Sequence, residues 1–296
     1  MDSDSLLPRS ISFQLPDPVI DFSNQTLKPG SSKWDEVKTD VPMEELFELP
    51  IQTKQRNVYS QCFHGYLCHN LHQSFGIVDL NVLEKVSNFT QLLWPDHGNK
   101  SISETIHLFS EQLVELDLMV RRMIMESFGI EKYIDEHLNS TYYLTRLMKY
   151  TSPPDDDDDE ETKLGLRSHT DKNIITILHQ YQVDGLEVKT KDDKWIKVKP
   201  SQDSVLVMVG DSLCALLNGR LHSPYHRVIM TGEKTRYSTG LFSIPKTGVI
   251  IDSPEELVDK EHPRIFKPFE YTDFLHFFQT EAGRIAQSAL HAFAAF

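Results

Sequence analysis

Near residue 144 the hydrophobic period of the chain changes from that of a helix to that of a strand. This switch limits the possible architectures more than any other feature. Before it, the segment 102–128 carries Ile102, Ile106, Phe109, Leu113, Leu116, Val120, Met123 and Ile124 at helical spacing, with Gly129 following as a stop signal. This stripe reads as core and carries no cofactor role. A shorter helix, "EKYIDEHL", comes next. After the switch, alternation predicts strands near 144–150, 165–171, 174–180, 185–190, 194–199, 204–217, 223–230 and 236–244, the longest bending at Gly210. "LNGRLHS" contains Asn218-Gly219, a strong hairpin signal. The tail "YTDFLHFFQTEAGRIAQSALHAF" returns to helix. Eight strands after a helical half predict an α+β chain with a double-stranded β-helix, or jelly-roll, core. Its flanking helices come mainly from the N-terminal half and the C-terminal tail.

The N-terminal half is less regular. "PVIDFS" at 18–23 reads as a strand, and "PMEELFELPIQTKQ" as a helix opening at Pro42 and stopping before Pro50. Residues 51–100 are mixed. The expected division is 1–140 as a mostly helical region packed on the barrel, 141–250 as the core and 251–296 as a helical tail. Together these read as one integrated fold. The run "PPDDDDDEE" reads as a solvated loop, without the interleaved glycine of a calcium cage.

Composition narrows the function classes. The formal charge is −14, and seven of the acids lie in the run Asp155–Glu161. An acidic chain with no basic stripe is expected to bind neither nucleic acid nor anionic membrane surfaces. Three cysteines, Cys62, Cys68 and Cys214, make no disulfide framework and suit a reducing compartment. No secretory signal is legible, and the apolar run 205–209 is too short to span a bilayer. A cytoplasmic location is expected.

The candidate chemistry begins at "LRSHTDKNIITILHQ". Side chains two apart on a strand share a face, so His169 and Asp171 converge while Thr170 points away. H-x-D alone is a weak signal and needs a third ligand. His226 opens the apolar stretch "HRVIM", whereas His222 falls in the Asn-Gly turn region and reads as a loop histidine. Two imidazoles and a carboxylate form the facial triad of non-haem Fe(II) sites. The same ligands could hold zinc in a hydrolase. "TRYSTG" tips the choice. Arg236 and Ser238 share a strand face, where a guanidinium and a hydroxyl would clamp a carboxylate. Iron with open positions plus such a clamp predicts a dicarboxylate co-substrate that chelates the metal.

The chain at this point resembles the plant 2-oxoglutarate- and Fe(II)-dependent dioxygenases. The resemblance rests on H-T-D at 169–171, H-R-V at 226–228 and R-Y-S at 236–238. The flanks "GLRSHTDKNIITIL", "DGLEVKTKDDKWIKVKP" and "VMVGDSLCALLNGRLHSPYHRV" support it, and "SPEELVDKEHPRIFKPF" looks closest to the AOP-like subgroup. The resemblance covers most of 18–285. It implies Fe(II) on His169, Asp171 and His226. It implies 2-oxoglutarate held by Arg236 and Ser238, with Tyr150 alongside. It implies O2 as co-substrate and ascorbate as a supporting reductant. Many relatives carry Asn where this chain has Met148.

The activity implied is oxidative decarboxylation of 2-oxoglutarate to succinate. This would be coupled to hydroxylation, desaturation or dealkylation of a small specialised metabolite, such as a glucosinolate, a steroidal glycoalkaloid or a hormone. The expected state is a monomer. The competing expectation is a non-catalytic jelly-roll paralogue that binds a small molecule without turnover. Leu166, Phe242, Phe274 and Phe278 are candidate substrate-pocket walls. One departure stands out. Between "WDEVKTDV" and "PMEELFELP" the family usually has a further helix and strand, so the N-terminal half is expected to carry an internal deletion.

Overall fold

The computed structural model describes residues 43–59, 63–153, 163–199 and 204–296. The strand expected at 18–23, the junction expected to carry the deletion and the acidic run 155–161 lie outside them. The order begins with α1 (Met43–Glu48), α2 (Ile51–Lys54), β1 (Gly65–His69), β2 (His72–Val78) and α3 (Leu83–Leu93). Then come α4 (Lys100–Ser127), α5 (Ile134–Asn139), β3 (Thr141–Tyr150), β4 (Leu164–His169) and β5 (Ile175–Gln180). The core continues through β6 (Leu186–Lys189), β7 (Trp195–Lys197), β8 (Val205–Val209), α6 (Asp211–Leu216), β9 (His226–Ile229) and β10 (Arg236–Pro245). A small ladder of β11 (Ile250–Ile251) and β12 (Phe269–Glu270) precedes α7 (Tyr271–Gln279), α8 (Glu281–Ile285) and α9 (Ala289–Ala294). No helix among the described residues is long and apolar enough to cross a membrane.

Two antiparallel sheets make the jelly roll. The larger runs β1-β2-β3-β10-β5-β8 and the smaller β4-β9-β6-β7. Alternation sorts the larger sheet into two faces. Met148, Tyr150, Leu178 and Met208 point inward and pack with Leu186, Val228 and Met230 of the barrel interior. Ile175, Ile177, Val207, Val209 and Leu241 point outward against α4 and the tail helices.

The long helix forms where its apolar spacing predicts. Asn99 caps it, its side chain accepting from Ile102 N at 3.1 Å. Its buried face also carries a pair that hydrophobic spacing hides. Arg121 Nε donates to Asp117 Oδ2 at 2.8 Å, and that carboxylate also accepts from Tyr143 Oη (3.0 Å) and Ser243 Oγ (2.8 Å). These bonds pin α4 to the outer faces of β3 and β10. A buried pair of this kind persists because every polar atom finds a partner.

Three expectations need correction. The strand expected over 204–217 is β8 followed by α6. Leu213, Cys214 and Ala215 are buried in either geometry, and a short apolar run does not distinguish strand from helix by period. Gly210 is the break. A Cβ there would lie 2.0 Å from Asn173 O, so the backbone of this turn packs directly on the β4–β5 connection. Next, Asn218-Gly219 closes α6 instead of a hairpin. Both residues have positive φ (51° and 75°), and Gly219 N donates to Cys214 O at 2.8 Å, the 6→1 bond of a helix C-terminus. Finally, the stretch 51–100 is more ordered than its sequence suggests. It supplies the β1–β2 hairpin, turned at Asn70 (φ 48°), and α3.

Candidate metal centre and co-substrate pocket

Pairing of the smaller sheet brings two histidines together. His169 ends β4 and His226 begins β9, and the two are direct cross-strand partners. Their ring centroids lie 4.2 Å apart. Asp171 is not on the strand: β4 stops at His169, and Asp171 sits two residues on, in the crossing between the sheets. Its backbone O accepts from Asp211 N at 2.7 Å. Cross-strand pairing and this fixed crossing, more than alternation along one strand, bring the three side chains to one point. Among the described residues, His169, Asp171 and His226 form the group able to hold a metal ion, with one donor atom from each within 4.8 Å of the others.

Hydrogen bonds aim the donors. His169 Nδ1 meets Arg167 O at 2.8 Å and His226 Nδ1 meets Pro224 O at 3.3 Å. A carbonyl only accepts, so each Nδ1 carries the proton and each Nε2 presents its lone pair inward. Those nitrogens lie 3.6 and 3.7 Å from Asp171 Oδ1. The other carboxylate oxygen, Oδ2, accepts from Thr176 Oγ1 at 2.6 Å. One oxygen is thus tied back and one is free.

The electrostatics suit a cation. Burial opposes charge on Asp171. His226, His169 and the Thr176 hydroxyl overcome that and hold the carboxyl well below the usual range. Burial, aided by the neighbouring His169, lowers His226 to about 4. At neutral pH the site therefore holds an ionised carboxylate beside a neutral His226.

The larger sheet builds the second half of the site. In its register Arg236 faces Tyr150, and Ser238 faces Met148 on one side and Gln180 on the other. Arg236 Nη1 donates to Ser238 Oγ at 3.1 Å, and Nη2 to Gln180 Oε1 at 2.7 Å. Its guanidinium lies 5.1 Å from the centre of the Tyr150 ring. Burial pushes the Tyr150 phenol up, so the hydroxyl stays protonated. Sequence reasoning missed Gln180 and Thr176. Both were marked by being polar at inward positions of the mostly apolar run 174–180.

Comparison with known proteins decides the family. The chain is 83% identical over 324 aligned positions to the probable 2-oxoglutarate-dependent dioxygenase AOP1.2 of Arabidopsis thaliana, with all of both chains covered. It is 44% identical to the dioxygenase AOP3 of the same plant, over 93% of this chain and 96% of the other. The model of the 2OG-Fe(II) oxygenase superfamily matches residues 135–245. The chain belongs to the 2OG-Fe(II) oxygenase superfamily. Solved structures agree on the fold. The rice dioxygenase for auxin oxidation superposes with a TM-score of 0.75 at 28% identity, covering 90% of this chain and 87% of that one. The structure of JOX2 with 2OG, Fe and JA does so at 0.70 and 27%, covering 86% and 78%.

The oxygenase fits both groups its family uses. The donor set is two imidazole nitrogens and one ionised carboxylate oxygen, the ligand types of a non-haem Fe(II) site. Arg236 Nε is buried and has no hydrogen-bond partner, so the guanidinium keeps a donor in reserve. Gly185 makes room for its stem: a Cβ there would lie 3.0 Å from Arg236 Cδ.

The other pocket candidates separate. Leu166 packs against the barrel-interior group beside Tyr150 and Met148. Met148 takes the Tyr150 hydroxyl through sulfur at 3.6 Å. Phe242 points inward, packing with Leu144, Ile244 and Tyr271. Phe274 does not border the site. It is fully buried on the outer side with Phe269 and Phe293, because the aromatic tail covers the outer face of the sheet. Phe278 lies behind Lys172, whose Nζ sits 4.7 Å from its ring centre.

Proposed function

We propose that this oxygenase binds Fe(II) through His169, Asp171 and His226 and 2-oxoglutarate through Arg236 and Ser238, with Tyr150 and Gln180 alongside. We further propose that it oxidises a small plant specialised metabolite. The observation that carries the reading is the clamp. A buried guanidinium with a reserve donor shares one interior with a three-donor metal group, and a zinc hydrolase has no use for it. Bound iron supplies the chemistry of the family: O2-driven decarboxylation of 2-oxoglutarate to succinate, coupled to oxidation of the substrate. The protein's part is orientation and dryness. Thr176 ties back one Asp171 oxygen, Arg236 and Ser238 fix the distal carboxylate, and Leu166, Met148 and Val228 keep water from the interior. Hydroxylation, desaturation and dealkylation all remain open to such a site.

Solved relatives are described as a dioxygenase for auxin oxidation and as JOX2 in complex with JA, which supports a small organic substrate. Free thiols at Cys68 and Cys214 suit the cytosol, where we place the protein as a monomer. Ascorbate is expected to sustain turnover. The test is direct. The purified protein, incubated with Fe(II), 2-oxoglutarate, ascorbate and a plant metabolite extract, is expected to shift at least one metabolite by the mass of an oxygen atom, two hydrogens or a lost alkyl group. An extract left unchanged while 2-oxoglutarate is consumed would contradict a specialised-metabolite substrate.

We also infer that the chain is a shortened form. The alignment to AOP1.2 runs over 324 positions and the chain has 296 residues, so at least 28 positions of that relative face a gap. Loss of a barrel-bordering strand would uncover sheet edge and apolar surface. Restoring the segment between "WDEVKTDV" and "PMEELFELP" is expected to raise the melting temperature. Equal melting temperatures would contradict this.

A further inference from the structure

Two inward-pointing arginines of this interior have a spare buried donor, and only one of them is used by the clamp. Arg146 lies on the inward row of β3 with Leu144, Met148 and Tyr150. Its backbone position is four residues from Tyr150, about 13 Å along a strand. The two guanidiniums therefore start from well-separated points. Arg146 Nη2 donates to Ser74 Oγ at 2.6 Å, while its Nε is buried and without a partner. No carboxylate pairs with it among the described residues.

The contrast with Arg121 is instructive. That arginine is buried for structural reasons, and each of its three nitrogens is engaged: Nε with Asp117, Nη1 with Thr141 and Nη2 with Tyr143. An arginine placed only for stability is satisfied in this way. Arg146 instead resembles Arg236: part of its fork is anchored on a serine hydroxyl and Nε is left over.

The surroundings of Arg146 point to the reaction site. Its charge acts on Asp171 of the metal group and on Tyr150 of the clamp. It also acts on His72, which stacks on the Tyr150 ring at 4.6 Å. His72 Nε2 is likewise buried without a partner. Burial, with Arg146 and Arg236, lowers His72 to about 3, so it adds no second positive charge. On the two neighbouring strands the positions facing Arg146 are Gly76 and Gly240. The Phe63 backbone carbonyl covers the first position and the Phe242 ring the second.

We propose that Arg146, with Ser74 and His72 beside it, forms a second oxyanion subsite that receives a carboxylate or sulfate group of the organic substrate. This inference rests on the reading that Arg236 and Ser238 hold 2-oxoglutarate. Attraction for an anion has to be local in a chain of formal charge −14, and a partly desolvated guanidinium supplies it. The substrate would then be an organic anion whose oxidised carbon is set by its distance from Arg146.

The test uses the full chain loaded with Zn(II), to prevent turnover, and with saturating 2-oxoglutarate. Binding of phenylacetate, phenylmethanesulfonate and the neutral phenylacetamide is followed by ligand-observed NMR. The wild type is expected to bind an acid about tenfold more tightly than the amide, the scale of one charge-assisted hydrogen-bonded pair. The two acids separate a carboxylate from a sulfate-like preference. Arg146→Gln is expected to abolish the difference and Arg146→Lys to keep part of it. Arg146→Met, which retains the apolar stem, serves as a second neutral variant should the glutamine form not fold. Equal binding of acid and amide by the wild type overturns the subsite. So does an acid preference that survives in a neutral variant. Displacement of 2-oxoglutarate by the acids, which would place them on Arg236, also overturns it. Failure of the wild type to bind 2-oxoglutarate removes the parent reading and the subsite with it. Intact 2-oxoglutarate binding without an acid preference removes the subsite alone.

Discussion

Replacing His226 by alanine is expected to abolish stoichiometric iron binding. The reason is geometric. His226 supplies the only donor that comes from β9, and it is the cross-strand partner of His169. Without it, His169 and Asp171 remain as two ligands on one stretch of chain, and a facial site needs three. The loss should not reflect unfolding, because the rest of the inward row on β9, notably Val228, still packs in the barrel interior. Iron bound per chain, measured after removal of free metal, checks this. Retention of one iron per chain by the folded variant would show that another histidine completes the site.

The second large effect concerns the clamp. Arg236→Ala is expected to weaken 2-oxoglutarate binding by about 2–5 kcal/mol, the range for truncating one partner of a buried charge pair. The side chain is fully buried, and its hydrogen-bond partners are Ser238 and Gln180. Truncation removes a buried guanidinium and leaves Ser238 and Gln180 facing a gap. Calorimetric titration of the metal-loaded variant gives the number. An affinity within threefold of the wild type would mean that 2-oxoglutarate lies elsewhere. Iron binding by the same variant should be intact, since Arg236 lies on the larger sheet, whereas both histidine ligands lie on the smaller one and Asp171 on the crossing beyond β4.

Much of this architecture was legible in the sequence, for identifiable reasons. The strands carrying Tyr150, Gln180 and Arg236 are runs rich in apolar, aromatic and β-branched residues, so they could be placed to within a few residues. The ligand types were legible because ionisable residues at the edge of apolar strands need a partner. The geometry that unites them was not. The pairing of His169 with His226 is a matter of sheet register, which local pattern does not encode. β8 and α6 merged into one expected strand because their apolar run is continuous apart from Gly210, Asp211 and Ser212. β2 escaped because its sequence, HQSFGIV, mixes three polar residues and a glycine with the apolar ones and so shows no strand pattern. Asp117 and Arg121 sit four apart on an apolar stripe and look like solvated helix charges until α4 is docked on β3 and β10. Phe274 lies in the core instead of the pocket: an aromatic in the tail reads equally well as either, and here the tail covers the outer face.

The central claim is that one interior holds both an iron and 2-oxoglutarate and couples them. The most direct measurement is succinate formed from 2-oxoglutarate by the purified chain under air, with Fe(II) and then with Zn(II) in its place. Succinate is expected with iron, above the protein-free control, and none with zinc or with the His226→Ala variant. No succinate with iron from a folded, iron-loaded chain would contradict the account, and equal formation with zinc would do the same.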